Sequence, residues 1–154
     1  MRRTAPGSLT TILDLYGAGG SRSLVADSIS GILDQRLARK ACSDCAVREP
    51  MREEEAAALG ITSRRKGVHA KGCAACRKTG FRGSVAVAGL LTITPAVRRA
   101  IESEGGLAEL KAAAGEEAQG VRRALAALVL DGVVSPAEAR RIVDPKSPYP
   151  PDTA

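Results

Sequence analysis

Aromatic residues are nearly missing from this chain of 154 residues. Phe81, Tyr16 and Tyr149 are its whole complement of Phe and Tyr, and there is no Trp. Any core must therefore be assembled from Ala, Leu, Val and Ile, which bury little apolar area per residue. The same scarcity removes the stacking platforms on which single-strand nucleic-acid binders depend; only Phe81 lies near the cysteines. Histidine is confined to His69, so neither a Ser-His-Asp nor a Cys-His catalytic constellation has support. No apolar run approaches the length of a membrane span. The basic start of the chain is not followed by the apolar stretch that a secretory signal needs, so a cytoplasmic location is the expectation.

A phosphate-binding loop is also lacking. The glycine-rich run from Gly17 to Ser23 precedes a helix, but it has no Gly-Lys-Ser/Thr ending and a helix rather than a strand comes before it. A flexible turn is the simpler reading. The length allows one ordinary domain or two small lobes. The net charge of +6 permits contact with nucleic acid or an anionic membrane surface without requiring either.

What the chain does have is four cysteines in two short pairs, Cys42-Ser43-Asp44-Cys45 and Cys73-Ala74-Ala75-Cys76. Each pair can fold into a knuckle that presents two thiolates to one side, and together they suit a closed tetrahedral zinc site. Such a site has no position open to water or substrate, so it is structural. A redox or disulfide pair is the other chemistry available. In a chain without an export signal the thiols stay reduced, which favours metal. Several basic residues, Arg39, Lys40, Lys71, Arg77, Lys78 and Arg82, lie near the cysteines, where they could offset the negative charge of a tetrathiolate. His69, on an expected strand at 66–71, could replace a thiolate, but four cysteines already satisfy zinc.

Helical periodicity and caps predict helices at 8–17, from 22 to about Leu33, and at 52–59, 95–104, 107–114 and 117–131, with a last helix after Ser135. Gly31 would then lie inside the second helix, at a close packing point. A short strand is expected between Asp34 and Cys42, and another at 84–91. Glu53, Glu54 and Glu55 fall in the first turn of their helix, where the helix dipole favours carboxylates and where they read as solvated. Ser135-Pro136-Ala137-Glu138 reads as a capping box. The expected fold is α+β and mostly helical, with short strands around the tetracysteine zinc-knuckle subdomain. Its divisions are a helical segment at 1–41, the zinc-binding subdomain at 42–91, a helical segment at 92–143, and a proline-rich disordered tail at 144–154.

The order of features resembles the C-terminal part of the type II secretion and type IV pilus assembly ATPases, over roughly residues 5 to 143. Pro6-Gly7-Ser8-Leu9-Thr10 with Leu13-Asp14-Leu15 is similar to the segment after that family's histidine motif. Ser28-Ile29-Ser30-Gly31-Ile32-Leu33-Asp34-Gln35-Arg36-Leu37 resembles its helix-to-strand signature. The run from Cys73 through Thr79-Gly80-Phe81-Arg82-Gly83 is the most specific match, and Asp131-Gly132-Val133-Val134-Ser135 with Glu138 resembles the closing turn. The resemblance implies a tetracysteine zinc-binding subdomain attached to a RecA-like ATPase core at the cytoplasmic face of the inner membrane. No Walker A, Walker B or histidine box is present, and Ser84 and Gly89 stand where the family has arginine and glutamate. The expectation is thus a noncatalytic zinc-binding module, a fragment, degenerate copy or separate lobe, with Cys42, Cys45, Cys73 and Cys76 as metal ligands. Its partners would be an ATPase core or an inner-membrane assembly platform. The alternative is an independent zinc-ribbon nucleic-acid binder; an active ATPase would need another chain to supply the nucleotide site.

Overall fold

Helix caps written into the sequence organise much of the chain. The computed structural model describes residues 8–17, 19, 21–62, 64–103 and 106–144. The expected tail at 145–154 lies outside them. The fold is α+β, in the order α1 (Ser8–Gly17), α2 (Arg22–Ser28), β1 (Gly31–Ala41), β2 (Ala46–Pro50), α3 (Glu53–Leu59), β3 (Lys66–Ala70), β4 (Phe81–Thr92), α4 (Pro95–Glu102), α5 (Gly106–Ala114), a 3-10 turn (Gly115–Gln119), α6 (Gly120–Leu130) and α7 (Pro136–Val143). β1 pairs with β4, and β2 pairs antiparallel with β3 in a register that sets Val47 opposite His69.

The second helix is shorter than its apolar pattern suggests. Ser21 caps α2, its Oγ accepting from Leu24 N–H at 3.2 Å, and the helix ends at Ser28. Gly31 belongs to β1 rather than to a helix. A Cβ there would sit 3.3 Å from the Leu91 carbonyl oxygen. From Gly31 exposure alternates along the strand, with Leu33, Gln35 and Leu37 on the open side. Ile29, Ile32 and Leu33 fit a helical stripe as well as a strand, so the periodicity could not separate the two. β2 lies where the sequence predicts no element, and Pro50 ends it at the pairing with Lys66.

The chain divides into two compact units, one of residues Met1–Asp34 with Ala88–Gly120, the other of Gln35–Val87 with Val121–Ala154. In the first, Ile12, Leu91, Ile101 and Leu110 are fully buried around the helices. Thr94 caps α4 by accepting from Val97 N–H, and the other end of α4 is closed by side chains. Tyr16 donates to the Ile101 carbonyl at 3.1 Å, and Arg22 donates to the Ser103 carbonyl while lying over the Tyr16 ring. These donors satisfy carbonyls that the helix itself leaves unpaired. Gly120 approaches Gly89 so closely that a Cβ on Gly120 would lie 2.7 Å from the Gly89 Cα. The missing side chain at Gly120 therefore accommodates a backbone contact.

The second unit holds the cysteines. Its core is small-residue rich, with Ala38, Ala56 and Ala139 buried beside Met51, Leu59, Val87, Leu125, Val129 and Val134. Gly67 lets β3 pass against α7: a Cβ there would lie 2.3 Å from Pro136 Cγ. Gly60 ends α3 in the left-handed conformation, φ 68°, as its place after the helix predicts.

Candidate metal centre

Each cysteine pair sits in a turn next to a strand end. β1 delivers Cys42, whose N–H donates to the Gly80 carbonyl at 2.9 Å, while the preceding Ala41 N–H donates to the Val133 carbonyl at 2.9 Å. β2 leaves from Cys45. The second pair is held by a tight turn in which Lys78 N–H donates to the Cys73 carbonyl at 2.7 Å and Thr79 Oγ1 to the Cys76 carbonyl at 2.6 Å. Arg77 and Lys78 are both in the left-handed region, φ 53° and 63°, which side chains adopt at a cost. Gly72 has φ 87°, and a Cβ there would lie 2.4 Å from the Lys78 carbonyl oxygen. Gly72→Ala should thus open the second knuckle, costing about 1–3 kcal/mol through strain alone. Thermal melts of the full chain check this; an unchanged Tm would show that the turn yields freely.

The four sulfurs converge. Their Sγ atoms all lie within 4.8 Å of one another, with Cys42 to Cys73 at 3.9 Å, Cys45 to Cys76 at 3.9 Å and Cys73 to Cys76 at 3.7 Å. This group could hold a metal ion. Cys42 and Cys76 are buried, and Cys45 and Cys73 are half-buried. The backbone prepares one thiolate in particular: the N–H groups of Cys73 and Gly80 donate to Cys76 Sγ at 3.1 and 3.3 Å and hold its thiol down at about 6. Desolvation works the other way on Cys45, pushed up to about 12. One sulfur is thus poised to lose its proton, and a cation would draw off the rest.

Other residues singled out by the sequence fall elsewhere. His69 is not in the sulfur group; it sits on β3, and its buried Nε2 makes no hydrogen bond. The glutamates of α3 are not simply solvated. Glu55 is buried and accepts from Arg52 N–H at 3.1 Å, and Glu54 meets Arg140 of α7 at 2.7 Å. Some of the basic residues near the knuckles have carboxylates of their own: Arg82 lies 3.6 Å from Asp44, and Lys71 3.8 Å from Glu49. Ser21 of the glycine-rich run caps α2, and Ala18 and Gly20 lie outside the described residues.

Glu138 is the functional-looking residue that the sequence reading missed. Ser135 Oγ accepts from Glu138 N–H at 3.3 Å, which is half of a capping box, but the carboxylate does not complete it. It turns inward, fully buried, and accepts four hydrogen bonds: from Arg39 N–H at 3.1 Å, Arg39 Nη2 at 2.9 Å, Arg141 Nε at 3.0 Å and Arg141 Nη2 at 2.8 Å. The Arg39 guanidinium also lies over the Phe81 ring, 4.0 Å from its centre. Burial would raise this carboxyl, but the hydrogen bonds from Arg141 and Arg39 outweigh it and hold the group at about 2. A signal existed: Glu138 is one turn from both Val134 and Ile142, on the apolar side of the last helix.

Among the described residues no helix is long and apolar enough to cross a membrane. The sequence matches the family described as Type II/IV secretion system protein over residues 3–141. It is 32% identical to the type II secretion system protein E of Aeromonas hydrophila over 141 residues, covering 90% of this chain and 28% of that protein. It is 31% identical to the type IV pilus assembly ATPase TfpB of Acinetobacter baylyi, over 90% of this chain and 24% of the relative. Against the type II secretion system protein E of Pectobacterium carotovorum the identity is 34%, over 67% of this chain and 20% of that one. The chain thus spans about a quarter of the length of these relatives. With nearly its whole described length inside the matched region, the chain belongs to the Type II/IV secretion system protein family.

Proposed function

We propose that Cys42, Cys45, Cys73 and Cys76 hold one structural zinc ion, and that the chain is a noncatalytic zinc-binding module of the type II secretion and type IV pilus assembly ATPase family. It acts through protein contacts with an ATPase core or an inner-membrane assembly platform, in the cytoplasm and peripheral to the membrane. One observation carries the metal reading. Zinc held at roughly 2.3 Å by four sulfurs requires sulfur-to-sulfur edges of about 3.8 Å. The three short edges here are 3.7 to 3.9 Å. Four thiolates leave no coordination site for substrate, so the ion supplies a crosslink and no reaction.

The functional division follows the chain, with a segment at 1–41 whose helices lead into β1, the zinc-binding subdomain at 42–91 and a helical segment at 92–143. Of the 23 Lys and Arg residues 17 fall in the cysteine-bearing unit, against 9 of the 17 Asp and Glu. That excess balances a dianionic tetrathiolate with charge to spare, which suits contact with an acidic surface. A nucleic-acid role gains less, because the Phe81 ring already lies under Arg39. Elemental analysis of the purified full chain should find about one zinc per molecule, and the isolated chain should not hydrolyse ATP. Folded protein free of zinc would sink the proposal; ATP turnover by the chain alone would overturn its noncatalytic half.

A further inference from the structure

The buried carboxylate of α7 is connected to the sulfur cluster by a short run of direct contacts. Glu138 fixes both the backbone N–H and the guanidinium of Arg39, three residues ahead of Cys42. That guanidinium covers Phe81, and the residue before it, Gly80, touches both knuckles: its carbonyl accepts from Cys42 N–H and its N–H donates to Cys76 Sγ. Arg141, the other partner of the carboxylate, comes from the same helix as Glu138 and locks its orientation.

We infer that Glu138 is a positioning residue for the metal centre: through Arg39 and Phe81 it holds the Cys42 and Gly80 backbones in the register that aims Cys42 and Cys76 at a common point. The inference rests on the zinc reading above. Groups outside the ligand shell that orient the ligands commonly govern metal affinity, and removing one costs roughly 10–100-fold. Linkage makes the effect reciprocal, so metal at the four sulfurs also steadies α7.

The test measures zinc affinity of the full chain by competition with a chromophoric chelator, with cobalt substitution reporting thiolate geometry. Glu138→Gln, which keeps the shape of the side chain, is expected to lose affinity roughly 10–100-fold and to alter the cobalt spectrum. Leu125→Ala, in the same core but off this path, serves as a comparably destabilising control. It should keep the affinity to within about twofold, measured where every variant remains folded. Equal affinities for Glu138→Gln and the unmodified chain would overturn the inference, as would an equal loss in Leu125→Ala. Should Glu138→Gln not fold, Phe81→Leu removes the ring beneath Arg39 with the carboxylate intact; an unchanged affinity there overturns the inference as well. If the unmodified chain binds neither zinc nor cobalt, the zinc reading itself fails, an outcome distinct from a selective null result in the variants.

Discussion

Replacing Cys42 or Cys73 by serine, or stripping metal from the full chain with a chelator, is expected to unfold the cysteine-bearing unit rather than merely loosen it. Structural zinc contributes on the order of 10 kcal/mol of folding free energy at neutral pH, which is comparable to the entire stability of an ordinary domain. Little else in this unit could take its place. Among the described residues its core has three buried alanines and no buried aromatic side chain, and its second knuckle contains two non-glycine residues in the left-handed region. Without an ion, the sulfurs also bring together groups that do not all ionise, as the opposite displacements of Cys45 and Cys76 show. Far-UV circular dichroism and amide exchange at residues 46–50, 66–70 and 73–80 would follow the loss. Protection that persists in those amides after complete removal of metal would show that the sulfur cluster is dispensable to the fold.

The cysteine cluster was readable in the sequence because metal chemistry imposes both residue type and spacing: two pairs, each separated by two residues, need only a turn apiece to converge. Thr94-Pro95, Ser135-Pro136 and Gly60 were readable for a similar reason, since caps act within a single helical turn. The strands were harder. β1 begins at Gly31 within a run whose apolar residues satisfy both periodicities, and only its pairing with β4 decides between them. β2 is a five-residue strand whose exposed positions are Val47, Arg48 and Pro50, and it exists because β3 offers a partner. Propensity says little where a strand depends on its neighbour.

Glu138 marks a different limit. At Ser-Pro-Ala-Glu the local rule sends the carboxylate back to the helix start, and the rule is sound for an exposed helix. Here the backbone of Arg39, 99 residues away in sequence, offers a competing donor together with its guanidinium. Two charged partners in a buried position outweigh one backbone N–H. The local pattern places Glu138 on the apolar side of its helix but does not name Arg39 as the partner that meets it there. The same long-range logic explains Glu54, which reads as a dipole-stabilised surface residue and instead pairs with Arg140.

Glu138→Ala should therefore be among the most damaging single substitutions outside the cysteines. It leaves the Arg39 and Arg141 guanidiniums facing an emptied buried site, and breaking a buried pair by removing one partner costs about 3–5 kcal/mol. Because the two arginine side chains are 30% and 37% exposed and can turn toward water, the lower end is expected, near 3 kcal/mol. For a chain of this size that is a fall in Tm of about 10 °C. Acid should reveal the same interaction by its sign. The folded carboxyl stands at about 2, below its ordinary value of 4.5, so its contribution is fully present above about pH 4.5. It fades as pH falls through the window from 4.5 towards 2, where the folded group finally takes up a proton. The stability difference between the unmodified chain and Glu138→Gln should accordingly be constant from neutral pH down to about 5 and then shrink. Because the Gln variant is expected to hold metal more weakly, the cobalt spectrum is followed alongside, so that acid loss of metal is counted separately from protonation of the carboxyl. Denaturant titrations at neutral pH and near pH 3 would measure it, and a gap of the same size at both would mean that the buried charge is not what stabilises α7.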